Sequence, residues 1–448
     1  MANTPLSEIS LDQPDHYTDH LVEVNAADNR VLASEDIYNK NGVLLARAGT
    51  EINKKMSATL VAHKLSKPIE HSITLENRLD GGDIMEDYSA LFIEYPDIGK
   101  LNKNLQLSPV IEKLVLGARV PPLLLQKLTV MKERFPEMYQ KTLFCSWLTV
   151  AMTRESGAPI HEDEPAMIAG LIHDVGMLHI DPEVVSKKGE LSASEWRTIQ
   201  SHVLVGQLIA KEINGLDQTI TRAIIEHHEK TDGSGYPRRL TQEKLSKLGL
   251  VVGLADTIQA LRVCKFKQQQ RNLANALPYL HMNMDSYGRD AYRSAVKVIH
   301  HGGLKAALPE PEMGISGLKA ALTARGLILN NITALIAEVY EELKGDHPSL
   351  TNSMGTMLLI LNSSGLQDPE LFGWLNSDRL DDGSEDKNGV LATLNDMEMM
   401  QNELQWQLSN LSRKIEQTLD LAKGETALTG RLSKLGGEIK TAVNALNV

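Results

Sequence analysis

Two adjacent histidines, His227 and His228, close a helical pattern and run into the glycine-punctuated loop EKTDGSGYP. Asp217 stands where a helix cap belongs, and Ile220, Ala223 and Ile224 repeat behind it at helical spacing. His227 falls seven residues after Ile220 and His228 four after Ile224, so both imidazoles lean towards the buried side. Gly233 and Gly235 admit backbone approaches that a β-carbon would forbid, and Pro237 fixes the exit. A buried imidazole is costly unless it is bonded, and a pair on one face wants a metal ion or carboxylates. A lone histidine is more often a hydrogen-bonded core residue, so the pair carries chemistry only if further ligands exist.

Further candidates are present. IAGLIHDVGM, Ile168 to Met177, reads as an apolar helix ending in His173 and Asp174, an imidazole beside a carboxylate. Such a pair offers nitrogen and oxygen donors to one or two divalent ions. Ser192 and Glu195 form a capping-box pattern that opens the next helix. Its expected inward stripe is Trp196, Ile199, Val203 and Ile209, with His202 on the same side. LVVGLADTIQAL then sets Asp256 inside an otherwise apolar helical run, where an unpaired carboxylate is expensive and a cation is the simplest partner.

Taken together, HD, the helix with His202, HHE, DGSGYP and the helix with Asp256 resemble the HD-GYP family of metal-dependent phosphohydrolases. The resemblance runs from about Glu137 to Ile299, and the order and spacing make it far more specific than HD alone. It implies an all-helical domain enclosing one to three divalent transition metals, iron or manganese. It also implies hydrolysis of cyclic di-GMP to linear pGpG or GMP in bacterial second-messenger signalling. Carried over position by position, His173, Asp174, His202, His227, His228 and Asp256 become metal ligands, with His173 and Asp174 at the catalytic centre and Asp174 bridging. Glu137 aligns with an acidic ligand that some members use for a third metal. Gly235, Tyr236 and Pro237 are expected to line the substrate pocket. Arg238 and Arg239 are candidates for phosphate or guanine contacts, with plain surface charge as the alternative.

The chain also departs from the family pattern. The histidine expected one turn after Glu137 is Lys141, which cannot donate a lone pair while protonated and could instead form an i, i+4 ion pair with Glu137. The lysine expected three residues after HD is Met177, and the second acid after Asp256 is Gln259. The basic and aromatic segment that follows is reduced to Lys265, Phe266 and Lys267. Two function classes stay open. One is a phosphodiesterase, favoured by six retained ligands; the other is a catalytically degenerate domain that binds a nucleotide or a signalling protein.

At 448 residues the chain is long enough for about three domains, and 42% apolar content supports real cores. Only 4% is aromatic, so aliphatic and Met packing must dominate. A net charge of −12 and a pI near 5.7 argue against a polymeric nucleic acid or an anionic membrane as partner. Metals can still supply local positive charge for one small phosphodiester. The two cysteines, Cys145 and Cys264, sit in helical patterns outside any CxxC and read as buried thiols. Without a signal-peptide core or an expected membrane span, the expected compartment is the cytoplasm.

The positioning elements divide the chain into five stretches. Residues 1–25 read as a flexible leader and 26–79 as a small β-rich module, with Asn41-Gly42 a hairpin turn and Asn53 a helix cap. Pro68 to Ile73 is expected to close that module as a strand. Residues 80–119 read as a linker and helix because of Gly81-Gly82 and many acids, and 120–303 as the HD-GYP domain. Residues 304–448 form a helical C-terminal region, interrupted by an acidic loop at Asn376 to Gly389. Leu394, Met397, Gln401, Leu404, Leu408, Leu411, Ile415 and Ala422 make a heptad seam there. The seam is open to two readings, a coiled-coil homodimer or an intramolecular bundle. The fold class expected is therefore mainly α, with a small β-rich module at one end and a coiled-coil or bundled helical region at the other.

Overall fold

A computed structural model describes residues 16–27, 29–117, 120–189, 191–266, 269–343, 347–377, 386–421 and 427–446. The fold is mainly helical, as expected. The strands Val31–Ala33 and Ile73–Leu75 pair antiparallel, with Val31 opposite Leu75. Ile37–Tyr38 and Leu44–Ala46 form the hairpin around Asn41-Gly42, and Gly42 takes the positive φ of 76° that the turn requires. Asn53 accepts from the backbone of Lys55 and Met56 and caps Lys54–Val61, a contact typically worth ~1 kcal/mol.

Three expectations near the N-terminus are corrected. Residues 16–25 are not a loose leader but lie in a helix, His16–Ala26, because Tyr17, Leu21 and Val24 recur at helical spacing and are wholly buried. Residues 1–15 lie outside the described residues. Pro68 to Ile73 is not one strand; Ile69–His71 is a tight turn, and pairing begins only at Ile73. Glu70 is drawn inward there to the buried Lys127 amine at 3.2 Å. The stretch from Asp80 is not a linker either. Asp80 and Asp83 form a capping box on Gly81–Glu94, and Pro96–Asn104 follows after a break at Tyr95. The two glycines lie in the first turn of that helix and not in a loop, and a β-carbon on Gly81 would meet Val115 O at 2.8 Å, so Gly81 serves packing.

One continuous core runs from Tyr17 through the module to Ile299. Its centre is the helix Pro136–Glu155, with Phe144, Trp147 and Val150 wholly buried. Around it pack Asp163–Ile172, Lys247–Leu261 and Arg289–His301; Gln218–Glu226 packs on Asp163–Ile172 and Lys247–Leu261, and His202–Lys211 packs on Gln218–Glu226. The capping box at Ser192 is present. The helix expected to carry His202 is interrupted at Ser201, however, so His202 opens a second helix. Trp196 and Ile199 are consequently only partly buried.

The C-terminal region has its own core, built from Gly314–Leu343, Pro348–Ser363, Pro369–Leu375, Lys387–Leu421 and Ala427–Leu446. Leu394, Met397, Leu404, Leu408, Leu411 and Ile415 are buried inside this single chain, so the homodimer reading of the seam is replaced by the intramolecular bundle. Gln401 donates to Leu322 O at 2.9 Å across that bundle. Ala422 and residues 378–385 of the acidic loop lie outside the described residues. Gly314–Leu343 has the length and apolar composition of a membrane-crossing helix, contrary to the expectation that no stretch does. In this fold its Leu322, Leu329 and Ile336 pack into the bundle.

The bundle also grips the loop that follows the paired histidines. Thr356 donates to Asp232 at 2.6 Å, and Lys414 reaches Ser353 at 2.6 Å and the carbonyl of Ser234 at 3.4 Å.

Candidate metal centre

Three of the expected ligands sit at helix ends. His173 follows Asp163–Ile172, His227 follows Gln218–Glu226, and His202 begins its own helix. Each donates from Nδ1 to the carbonyl three residues earlier: His173 to Gly170 at 2.8 Å, His202 to Ile199 and His227 to Ile224 at 2.7 Å. A carbonyl can only accept, so these bonds fix one proton on Nδ1 and leave Nε2 as the nitrogen that faces the centre.

Those Nε2 atoms converge on Asp174. Its Oδ1 lies 3.2 Å from His202 Nε2 and 3.7 Å from His227 Nε2, while Oδ2 lies 3.4 Å from His173 Nε2. The two oxygens of one carboxylate thus face two different groups. Asp174, His202, His227 and His228 bring donor atoms within 4.8 Å of one another, and so do Cys145, His173 and Asp256. His228 stacks on Tyr236 at 4.8 Å between ring centroids, which places the loop over the first group.

Two glycines let the helices close this far. A β-carbon on Gly253 would fall 2.1 Å from His227 O, and one on Gly176 would fall 2.0 Å from His202 O. Asp256 rides one turn beyond Gly253 on Lys247–Leu261 and lies 3.8 Å from His173 Nε2.

The electrostatics match a cation site. Burial opposes charge on His173, yet Asp174 and Asp256 hold its imidazole well above the ordinary range. Burial, then the adjacent His227 and His202, push His228 well below that range, and burial also lowers His227. Burial works against the charged form of Asp174, but His173, His202 and His227 hold it well below the usual carboxylate range. His173 Nε2 is buried without a hydrogen-bond partner. Imidazole nitrogens and carboxylates gathered at one place, with one buried nitrogen unbonded, are a donor set that fits a divalent transition metal.

The loop is held by two acids that spacing alone did not mark. Glu226, buried, accepts from Arg222 at 2.9 Å, Arg238 at 3.0 Å and the backbone of Ser246 at 2.7 Å. Glu229, also buried, accepts from the backbone of Arg238 at 2.6 Å and Leu240 at 3.0 Å. Gly235 is required by close approach, since a β-carbon would lie 2.5 Å from His228 O, and Tyr236 to Pro237 is cis.

Other expected residues stand elsewhere. Glu137 is exposed and outside both donor groups, and no Glu137–Lys141 ion pair forms among the described residues. Glu137 sits in the first turn of its helix, about two turns before the level of His173, where Cys145 is found instead. Arg238 is committed to Glu226 and Arg239 is exposed. Gln259 is buried and accepts from Arg262 at 3.1 Å. The side chains of Cys264 and Lys265, and Lys267 as a whole, lie outside the described residues.

Comparisons with known proteins bear on the same segment. Residues 126–291 match a family described as HD domain. A 3'3'-cGAMP-specific phosphodiesterase 1 of Vibrio cholerae is 24% identical over 207 residues, covering 46% of this chain and 45% of that protein. The cyclic di-GMP phosphodiesterase PA4108 of Pseudomonas aeruginosa is 23% identical over 192 residues, 43% of this chain and 46% of that protein. The chain therefore spans less than half the length of these two relatives. Among solved structures, the HDG"Y"P protein Bd1817 of Bdellovibrio bacteriovorus aligns with 14% identity and a TM-score of 0.33, over 61% of this chain and 94% of that one.

Proposed function

With residues 126–291 forming an HD domain of the HD-GYP type, we propose that this chain is a metal-dependent phosphodiesterase of cyclic dinucleotides. Cyclic di-GMP is the substrate of this reading, opened to linear pGpG or GMP, with 3'3'-cGAMP the close alternative named for a relative. One observation carries it: the Nε2 atoms of His173, His202 and His227 converge on the two oxygens of Asp174.

His173, Asp174 and Asp256 would hold one ion, and His202, His227, His228 and Asp174 another. Bound iron or manganese would supply an acidified water and positive charge opposite the phosphoryl oxygens. The chain's own groups do the positioning. The Nδ1 protons of His173, His202 and His227 are spent on backbone carbonyls, so none of these rings is free to protonate a leaving alkoxide. Asp174, held ionised, keeps both oxygens available as acceptors. Tyr236, stacked on His228, closes one wall, and Glu226 and Glu229 keep that wall in place from beneath. A cytoplasmic, bacterial setting belongs to this reading.

The test is turnover by the full chain loaded anaerobically with iron or manganese, using cyclic di-GMP and 3'3'-cGAMP in parallel. Hydrolysis of one of them, lost in Asp174→Asn, is expected. Failure of the loaded chain to cleave either overturns the reading. The binding-only alternative draws on a specific observation. Arg238 is tied to Glu226 and Met177 stands where a cation is expected, which leaves few side-chain cations for phosphate. Tight binding of cyclic di-GMP without cleavage would select that alternative.

A further inference from the structure

Cys145 lies on the inner face of Pro136–Glu155, fully buried. The helix reaches His173 through a backbone-to-backbone crossing. A β-carbon on Gly170 would fall 2.4 Å from Ser146 Cα and 3.1 Å from the carbonyl carbon of Cys145. His173 follows Gly170 by one turn, so the thiol and the imidazole meet beside Asp256, with donor atoms of all three within 4.8 Å.

A buried cysteine is most often a small apolar filler, and by itself it marks nothing. The neighbouring groups distinguish this one. His173 Nε2 is buried without a hydrogen-bond partner, and its other nitrogen is already spent on Gly170 O. It points into the space bounded by the thiol and by carboxylate oxygens of Asp256 and Asp174, at 3.8 and 3.4 Å. Apolar packing explains neither the unbonded nitrogen nor the two carboxylates beside a thiol.

We propose that Cys145 is a metal ligand: as a thiolate it joins His173 Nε2, Asp256 and Asp174 Oδ2 around an ion distinct from the one held by His202, His227 and His228. Ion binding displaces the thiol proton, so sulfur enters as an anion. One sulfur, one nitrogen and two carboxylate oxygens suit zinc or ferrous iron over magnesium or calcium. The two positions then differ in kind, one rich in imidazole and the other carrying sulfur. Glu137, two turns away and exposed, has no part in either.

This inference rests on the metal-dependent reading above, and its test separates the two. Metal-free full-length chain is titrated with Co2+, following bound cobalt per chain by elemental analysis and the near-ultraviolet sulfur-to-cobalt charge-transfer band. The native chain is expected to bind a second equivalent with a thiolate band. Cys145→Ser should lose both the band and that equivalent. Cys145→His should regain the equivalent without the band, which rules out a folding defect as the cause. Full cobalt loading of the native chain without a thiolate band, or an unchanged band in Cys145→Ser, overturns the proposal and leaves the metal-dependent reading standing. No cobalt uptake by the native chain removes both.

Discussion

His202 and His227 turn their Nε2 atoms towards each other at 3.4 Å, and each has already given its ring proton to its own backbone. Two lone pairs face to face repel unless a cation stands between them. His227→Ala is therefore expected to weaken ion binding by at least about tenfold, the loss commonly seen when even an indirect partner of a ligand is removed. Ion content after anaerobic purification and dialysis measures it. Unchanged content would assign the ion to other residues.

The approach of Lys247–Leu261 to His227 gives a second expectation. A β-carbon on Gly253 has no room against His227 O, so Gly253→Ala must push the helices apart. Overpacking of this kind costs about 1–3 kcal/mol. Because the displaced atom belongs to a ligand, ion affinity should fall together with the urea midpoint. A stability loss with ion affinity intact would show that the ring does not follow its backbone.

The site was legible in the sequence to the extent that its residues stand at fixed offsets. HD, HHE and Asp256 each follow an apolar helical repeat, so their faces could be read directly. Cys145 was not legible, because a buried thiol on an apolar helix has the same local pattern whether it faces a hydrocarbon or an ion. Only the crossing at Gly170 separates the two. Glu137 shows the limit from the other side: it rides on the same helix as Cys145 but about two turns away, exposed and outside both donor groups. In the fold, Gly81-Gly82 suggested a linker because glycine pairs mark turns. The deciding residue was the preceding Asp80, which caps the helix that begins there.

The pH dependence of the ion-free chain follows from the histidines. His227 and His228 are held below the ordinary imidazole value of about 6.5, so the unfolded chain binds more protons than the folded one as the pH falls. Their contribution is complete above that value and is lost on acidification towards the folded values. His173 runs the other way; its raised value gives stability that is complete below about 6.5 and is lost as the pH rises through the folded value. Urea midpoints measured against pH in chelator should show an acid limb that His228→Gln flattens and an opposing limb that His173→Gln flattens. An acid limb unaltered in His228→Gln would contradict the assignment.

The C-terminal seam makes its own expectation. Leu404 and Leu408 are fully buried within one chain, so Leu404→Ala and Leu408→Ala should each lower stability by roughly 2–5 kcal/mol. Light scattering should show the same mass before and after. A mass that halves in either variant would return the seam to an interface between copies.

The histidines that face Asp174 belong to the ends of separate helices, where backbone carbonyls lack helical partners. Each ring satisfies one such carbonyl with Nδ1 and faces the centre with Nε2. An ion held there would act as a common terminus for helices that have no covalent connection at that point. Its removal should register as fraying: faster amide hydrogen exchange at Gly170 to Asp174, Ile199 to His202 and Ile224 to His228. The protected interior around Trp147 should barely change. Ion occupancy would then be written into local order at several distant places in the chain at once, one of them the segment that runs into the loop which Thr356 and Lys414 of the C-terminal bundle hold at Asp232 and Ser234.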